Sequence, residues 1–375
     1  MQVFHAERIF DGEEWHNDAA LLVDEGRVQG IRPSADAPEG MRLPGWIAPG
    51  LIDLQVNGGG GVLFNNDTTP EGIARICAAH AGFGTTAVMI TLITDRPDVT
   101  DDAIAAGLAG QGIPGFLGMH LEGPHLALAR KGTHDPALIR KMEDADLARI
   151  LAAAAKLPHL ITTVAPESVT DDQIRAMAGA GVVVSLGHTD TTHESARHAA
   201  DAGAAMITHL FNAMSQLAHR APGVVGAALE DGRLWCGLIA DGFHVDDAAM
   251  RIALRAKQGP GQIFLVSDAM STIGTDLTGF TLNGRQILRS GGRLTLAGDG
   301  SLAGADIAQI DGIRYLVQRL DVDPGQALRM GSALPAQAMG ITDRGHLHPG
   351  AHADFFCFDA DFHALQTYIA GVQAA

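Results

Sequence analysis

The chain has 375 residues, 46% of them hydrophobic, and a formal net charge of -17. That length can bury a large core, as two ordinary domains or as one barrel with an attachment. The acidic balance disfavours a nucleic-acid interface, which gathers Lys and Arg on one face, and leaves an anionic small substrate in need of its own local basic pocket.

The opening MQVFHAERIFDGEEWH lacks the basic stretch and apolar run of a signal peptide. No later stretch reaches the roughly 18 unbroken apolar residues of a membrane span, so a cytoplasmic protein without a membrane partner is expected. Residues 1–47 continue as short alternating segments with turn residues (FHAERIFDG, AALLVDEGRVQGI), the pattern of a small β-domain.

From residue 48 to about 270 the rhythm changes. Eight apolar runs alternate with helix-like stretches: APGLIDLQV (48–56), TTAVMITL (85–92), IPGFLGMHLE (113–122), LITTVAPE (160–167), GVVVSLGH (181–188), AAMITHL (204–210), LWCGLIAD (234–241) and IFLVSDA (263–269). Nearly continuous apolar interiors suit parallel strands covered on both faces. Segments such as PEGIARICAAH and THESARHAADAG carry helical apolar spacing. The expected fold is a (β/α)8 barrel over 48–345, whose active site lies at the carboxyl ends of the strands. Asn-Gly, Gly-Gly and Asp-Gly between alternating runs predict a β-hairpin insertion near 272–302. Helical patterns resume at about 304–320 and 324–339, and residues 346–375 (HADFFCFDADF, LQTYIAG) return to short alternation, completing the β-domain with 1–47. Cys77, Cys236 and Cys357 stand far apart and read as buried small side chains rather than thiolate ligands.

Most runs end in a polar residue, and those ends converge on one rim. Glu122, His188 and His209 close the third, fifth and sixth runs. Two imidazoles and a carboxylate suit zinc or another borderline divalent ion and leave a position open for water and substrate. Asp268, ending the eighth run, can take a proton from activated water and later deliver it to a leaving nitrogen. A lone histidine among 17 is more often a surface or hydrogen-bonded residue, and His80, His159, His193, His198 and His219 are read that way. Asp241 is read as a hydrogen-bond partner, with a catalytic base as the alternative. Polar groups ending four strands of one barrel are harder to explain as packing, because unpaired burial is costly.

The strings APGLIDLQVNGGGGV, HLEGP, KGTH, LGHTD, THLFNAM, RAPGVVG, DGFHV, LVSDAM and GSLAGA, in this order, resemble the N-acetylglucosamine-6-phosphate deacetylase family of the amidohydrolase superfamily. The resemblance implies a barrel with a small β-sandwich from both termini, and a phosphorylated N-acetyl amino sugar as substrate. It assigns one divalent metal, zinc or alternatively iron or another ion, to Glu122, His188 and His209, and the acid/base role to Asp268. His134 is similar to the family histidine that polarises the acetyl carbonyl, with Thr133 beside it. Asn212, Ala213, Arg220, His244 and the Leu302, Ala303, Gly304 backbone match substrate-contacting positions. In homologues a phosphate-contacting histidine comes from the neighbouring subunit, so His244 implies a homodimer. Where many superfamily members carry His-x-His and two metals, this chain reads Gln55-Val56-Asn57, the pattern of a single-metal branch. Two other readings remain open: the same hydrolysis on the galactosamine epimer, and a barrel that has lost catalysis and serves as a binding scaffold.

Overall fold

A computed structural model describes residues Met1–Ala375. Eight parallel strands lie side by side in chain order: Leu51–Val56, Thr85–Ile93, Phe116–Glu122, Leu160–Val164, Val183–Leu186, Met206–Ile207, Trp235–Leu238 and Ile263–Leu265. The first two are buried along their whole length, which is why they read as unbroken apolar runs. The first and last strands meet at their carboxyl ends. Val56 bridges Ala269, Asp268 N donates to Gln55 O at 3.0 Å, and Asn57 N donates to Ala269 O at 2.9 Å. Deeper in the barrel the buried Gln309 amide spans the same gap, donating to Ile52 O at 3.0 Å and Leu265 O at 2.8 Å. The nearly closed barrel is thus joined where its polar strand ends gather.

Helices alternate with the strands and start where the local chemistry directs. Thr69 Oγ1 accepts from Gly72 N ahead of helix Pro70–Ala81, whose proline occupies the first turn. Thr170 and Gln173 form a reciprocal capping box on Asp171–Gly179, and Thr192 caps His193–Ala202. The eighth helix, Gln309–Leu320, follows its strand only after an insertion.

The expected strand 48–56 is divided. Trp46–Pro49 pairs with Phe355–Phe358 in a separate sheet, Gly50 intervenes, and the barrel strand begins at Leu51. That second sheet, mostly antiparallel, draws eight strands from both ends of the chain. Side-chain alternation decides what each of its faces covers. Phe355 and Cys357 join Phe4, Leu21 and Tyr368 in a small core, whereas Phe356 and Phe358 turn to the main core with Phe10 and Ala48. No helix is long and apolar enough to cross a membrane, and all three cysteines are buried and free.

The insertion is a four-stranded antiparallel sheet, Gly279–Leu282, Arg285–Ser290, Arg293–Leu296 and Leu302–Ala305. Its first two turns, Asn283-Gly284 and Gly291-Gly292, have positive φ at both residues, as tight hairpins require. Its last strand ties it to the barrel, with Ala305 N donating to Asp268 O at 2.9 Å.

Candidate active site

Three ligand-type atoms face one another at the rim. Glu122 Oε1 lies 3.2 Å from His209 Nε2 and 3.3 Å from His188 Nε2, and the two imidazole nitrogens are 3.1 Å apart. Tetrahedral coordination with bonds of roughly 2.0 Å gives ligand edges of about 3.3 Å, so the triangle matches the face of such a site. His188 Nδ1 donates to the Arg130 carbonyl at 2.9 Å, which leaves the neutral ring with a lone pair at Nε2, pointing into the triangle. Burial alone would raise the Glu122 pKa, but the two histidines hold it well below the usual carboxylate range. Burial opposes charge on His209 too, yet Glu122 raises its pKa. The cluster therefore favours positive charge where a divalent ion would sit.

His134 stands beside the triangle. Glu122, His134 and His188 each offer a ligand atom within 4.8 Å of the others. However, His134 Nε2 is 3.9 Å from Glu122 Oε2, longer than any triangle edge, so Glu122, His188 and His209 are the better fit for a cation. Burial and then the neighbouring His188 push the His134 pKa well below its ordinary value.

Asp268 completes the centre. Its Oδ1 accepts from Asn57 Nδ2 at 2.6 Å and Gln55 Nε2 at 3.2 Å. Burial, then the Glu122 carboxylate, raises its pKa to about 6. His188, His209 and Asp268 all have positive φ, 48°, 28° and 51°, a left-handed conformation costing side-chain-bearing residues about 1–3 kcal/mol each. The strands stop here because the backbone turns to present these groups.

A cavity of about 330 Å³ opens over the centre, lined by Thr133, His134, Asn212, Ala213, His244, Leu302 and Gly304 among others. Gly304, at φ +63°, lies so close that a Cβ would sit 2.7 Å from Met270 Cγ and 2.9 Å from the Asp268 carbonyl oxygen. Ala303 instead turns into the core of the inserted sheet. His244 lines the chain's own cavity, its Nδ1 donating to Asp241 Oδ2 at 2.7 Å. Arg220 is exposed and does not line the cavity of its own chain. Asp241, which also accepts from Phe243 N and His244 N, is the partner that orients His244.

A larger cleft of about 860 Å³ lies at the amino end of the strands, beside Thr86 and Phe116. Its Arg344 and Asp354 pair with each other, and none of the strand-end polar groups reaches it. Size is therefore a poor guide to the chemistry here.

One residue at the centre escaped the sequence reading. The second strand runs to Ile93, and the buried Thr94 just beyond it contacts His134 Nδ1 at 2.7 Å. Thr91, three residues earlier, instead accepts from Val56 N at 2.9 Å and serves strand pairing.

A barrel with strand-end ligands and a buried carboxylate defines a hydrolase of the amidohydrolase type. Residues 46–374 match the Amidohydrolase family, and the chain belongs to that family. It is 38% identical over 362 residues to N-acetylgalactosamine-6-phosphate deacetylase of Shewanella sp. (strain ANA-3), covering 94% of this chain and 90% of the relative. It is 37% identical over 378 residues to N-acetylglucosamine-6-phosphate deacetylase of Homo sapiens, covering 97% and 88%. The crystal structure of N-acetylglucosamine-6-phosphate deacetylase from Pasteurella multocida superposes with a TM-score of 0.94 at 31% identity, covering 99% of both chains.

Proposed function

We propose that the chain hydrolyses the acetamide of N-acetyl-D-glucosamine 6-phosphate, releasing acetate and D-glucosamine 6-phosphate. The observation that carries this is the Glu122, His188, His209 triangle with Asp268 alongside, under a cavity of about 330 Å³. Glu122, His188 and His209 would hold a single divalent cation, zinc by the preference of its nitrogen and carboxylate donors. When bound, the cation polarises the acetyl carbonyl and acidifies water.

The remaining work falls to side chains. With Oδ1 of Asp268 occupied by the Asn57 and Gln55 amides, Oδ2 is the oxygen free to accept the proton of the attacking water. The carboxyl group then donates that proton to the amine nitrogen as the C–N bond breaks. His134 Nε2 faces the place where the carbonyl oxygen gains negative charge, and a hydrogen bond there stabilises it. His244, backed by Asp241, and Arg220, supplied across a homodimer interface, would meet the phosphate. Thr133, Asn212, Ala213 and the backbone of Leu302–Gly304 would position the sugar. A cytoplasmic setting fits a phosphorylated substrate.

The second reading is the galactosamine epimer, favoured by the 38% identity to the Shewanella deacetylase. Acetate release by zinc-loaded protein decides between them, with both 6-phosphate epimers and unphosphorylated N-acetylglucosamine as substrates. The glucosamine epimer should give the highest kcat/KM and the unphosphorylated sugar the lowest. Absence of release from all three would overturn the hydrolytic reading in favour of a binding scaffold.

A further inference from the structure

We infer that Thr94 is a positioning residue that places the proton of His134 on Nε2, the nitrogen facing the reaction centre. The inference rests on the role proposed above for His134, and adds the group that makes the neutral ring competent for it.

The Thr94 hydroxyl has one hydrogen and two acceptors in reach: His134 Nδ1 at 2.7 Å and the Glu122 carbonyl oxygen at 3.2 Å. If the hydrogen goes to the carbonyl, Nδ1 must carry the imidazole proton and Nε2 becomes a lone pair. If it goes to Nδ1, the imidazole proton sits on Nε2. Two observations favour the second arrangement. The 2.7 Å contact to Nδ1 has the length usual for a hydroxyl donor and is shorter than the roughly 2.9–3.0 Å usual for an N–H donating to oxygen. On the other side of the ring, Nε2 stands 3.9 Å from Glu122 Oε2, a carboxylate that attracts an N–H and repels a lone pair. An Nε2–H is also what stabilises a developing oxyanion, which a lone pair would oppose.

The surroundings hold Thr94 where this works. Asn65 brackets Ile93, accepting from its N at 3.1 Å and donating to its O at 2.8 Å, and Asn283 at the inserted hairpin donates to Thr94 O at 3.2 Å. Gly123 leaves room for the hydroxyl, since a Cβ there would sit 2.1 Å from Thr94 Oγ1. The inserted sheet therefore braces the residue that orients His134, besides covering the cavity.

The test is ¹⁵N NMR of zinc-loaded enzyme labelled at histidine, with the His134 signals identified by their absence in His134→Asn. Wild type and Thr94→Ser should show a bare Nδ1 and a protonated Nε2. Thr94→Val should shift the proton towards Nδ1 and lower kcat by roughly 10- to 100-fold, the effect of one buried hydrogen-bonding group left unpaired, with KM within about twofold and Ser restoring kcat. A proton on Nδ1 in the wild type, or Thr94→Val with both tautomer and kcat unchanged, overturns the inference. If Thr94→Val does not fold, the wild-type and Thr94→Ser spectra still decide it. The tautomer is read without substrate, so an enzyme that failed to release acetate would remove the functional reading while leaving the assignment of Thr94 to stand or fall alone.

Discussion

Asn57 Nδ2 donates to Oδ1 of Asp268 over 2.6 Å, joining the first strand of the barrel to the last across its seam. Gln55 Nε2 reaches the same oxygen at 3.2 Å and Glu122 Oε1 at 2.9 Å. Both amides therefore turn their N–H groups to carboxylates. Where a two-metal relative would offer imidazole nitrogens to a second ion, this chain offers hydrogen-bond donors that ease the repulsion between Glu122 and Asp268.

The first consequence is stoichiometric. Donor N–H groups cannot ligate a cation, and a second ion sharing Glu122 would lack protein ligands. Metal analysis of extensively dialysed protein should find one equivalent per chain, and His188→Ala and His209→Ala should lose both the metal and the activity. Two tightly held equivalents would show that Gln55 or Asn57 reorients to bind.

Asp268→Asn preserves shape while removing the base, so metal content should be unchanged and kcat should fall by about 10²- to 10⁴-fold. A general base must be ionised to accept a proton, and burial with Glu122 raises the Asp268 pKa to about 6. Activity should rise as pH increases through this range and level off above it. A bound cation offsets the Glu122 charge, so the limb in the loaded enzyme should lie at or below about 6. Residual activity of Asp268→Asn should lack this limb; if the variant retains it, the limb belongs to another group.

Asp241 and His244 form a unit apart from the reacting centre. Burial would raise the Asp241 pKa, but the His244 contacts keep it below the usual carboxylate range, consistent with an ionised partner that steadies the imidazole. Asp241→Asn should raise KM for the 6-phosphate substrate roughly 5- to 50-fold, as expected for weakening one charge-assisted contact, and leave the unphosphorylated sugar almost untouched. Equal losses on both sugars would make Asp241 a structural residue. Arg220→Ala, exposed in its own chain, should show the same phosphate-selective loss only in protein that sediments as a dimer.

His80, fully buried with Nε2 donating to Gly58 O at 2.9 Å and Nδ1 unpartnered, sets an acid limit on stability. Burial lowers its pKa to about 4, whereas the unfolded chain takes up the proton near 6.5. Between those values the unfolded state binds more protons than the native one, so stability falls as pH drops from about 6.5 to 4 and this contribution flattens below. The loss reaches roughly 3 kcal/mol. Urea midpoints of wild type and His80→Gln across this range should show a shallower slope for the variant, and parallel slopes would assign the effect elsewhere.

That Glu122, His188, His209 and Asp268 gather at one rim was legible from sequence because parallel strands buried on both faces tolerate polar residues mainly where they emerge, at their carboxyl ends. A run of apolar residues stopping at Glu, His or Asp therefore states both the direction and the rim. Depth and reach were not legible. His120 shares the inward face with Glu122, two residues away, yet lies one layer deeper, where Leu54 O and Thr163 Oγ1 satisfy both ring nitrogens. Thr94 and Thr91 look alike in TTAVMITLIT, but the strand's true end at Ile93 puts one at the centre and the other in the ladder. His244 and Arg220 sit on loops, whose positions follow from the elements beneath them and carry no periodic signal. Strand alternation is a local property of the backbone and can be read residue by residue. Which hydroxyl meets which imidazole depends on how three strands and an inserted sheet pack together, and only the folded chain sets that.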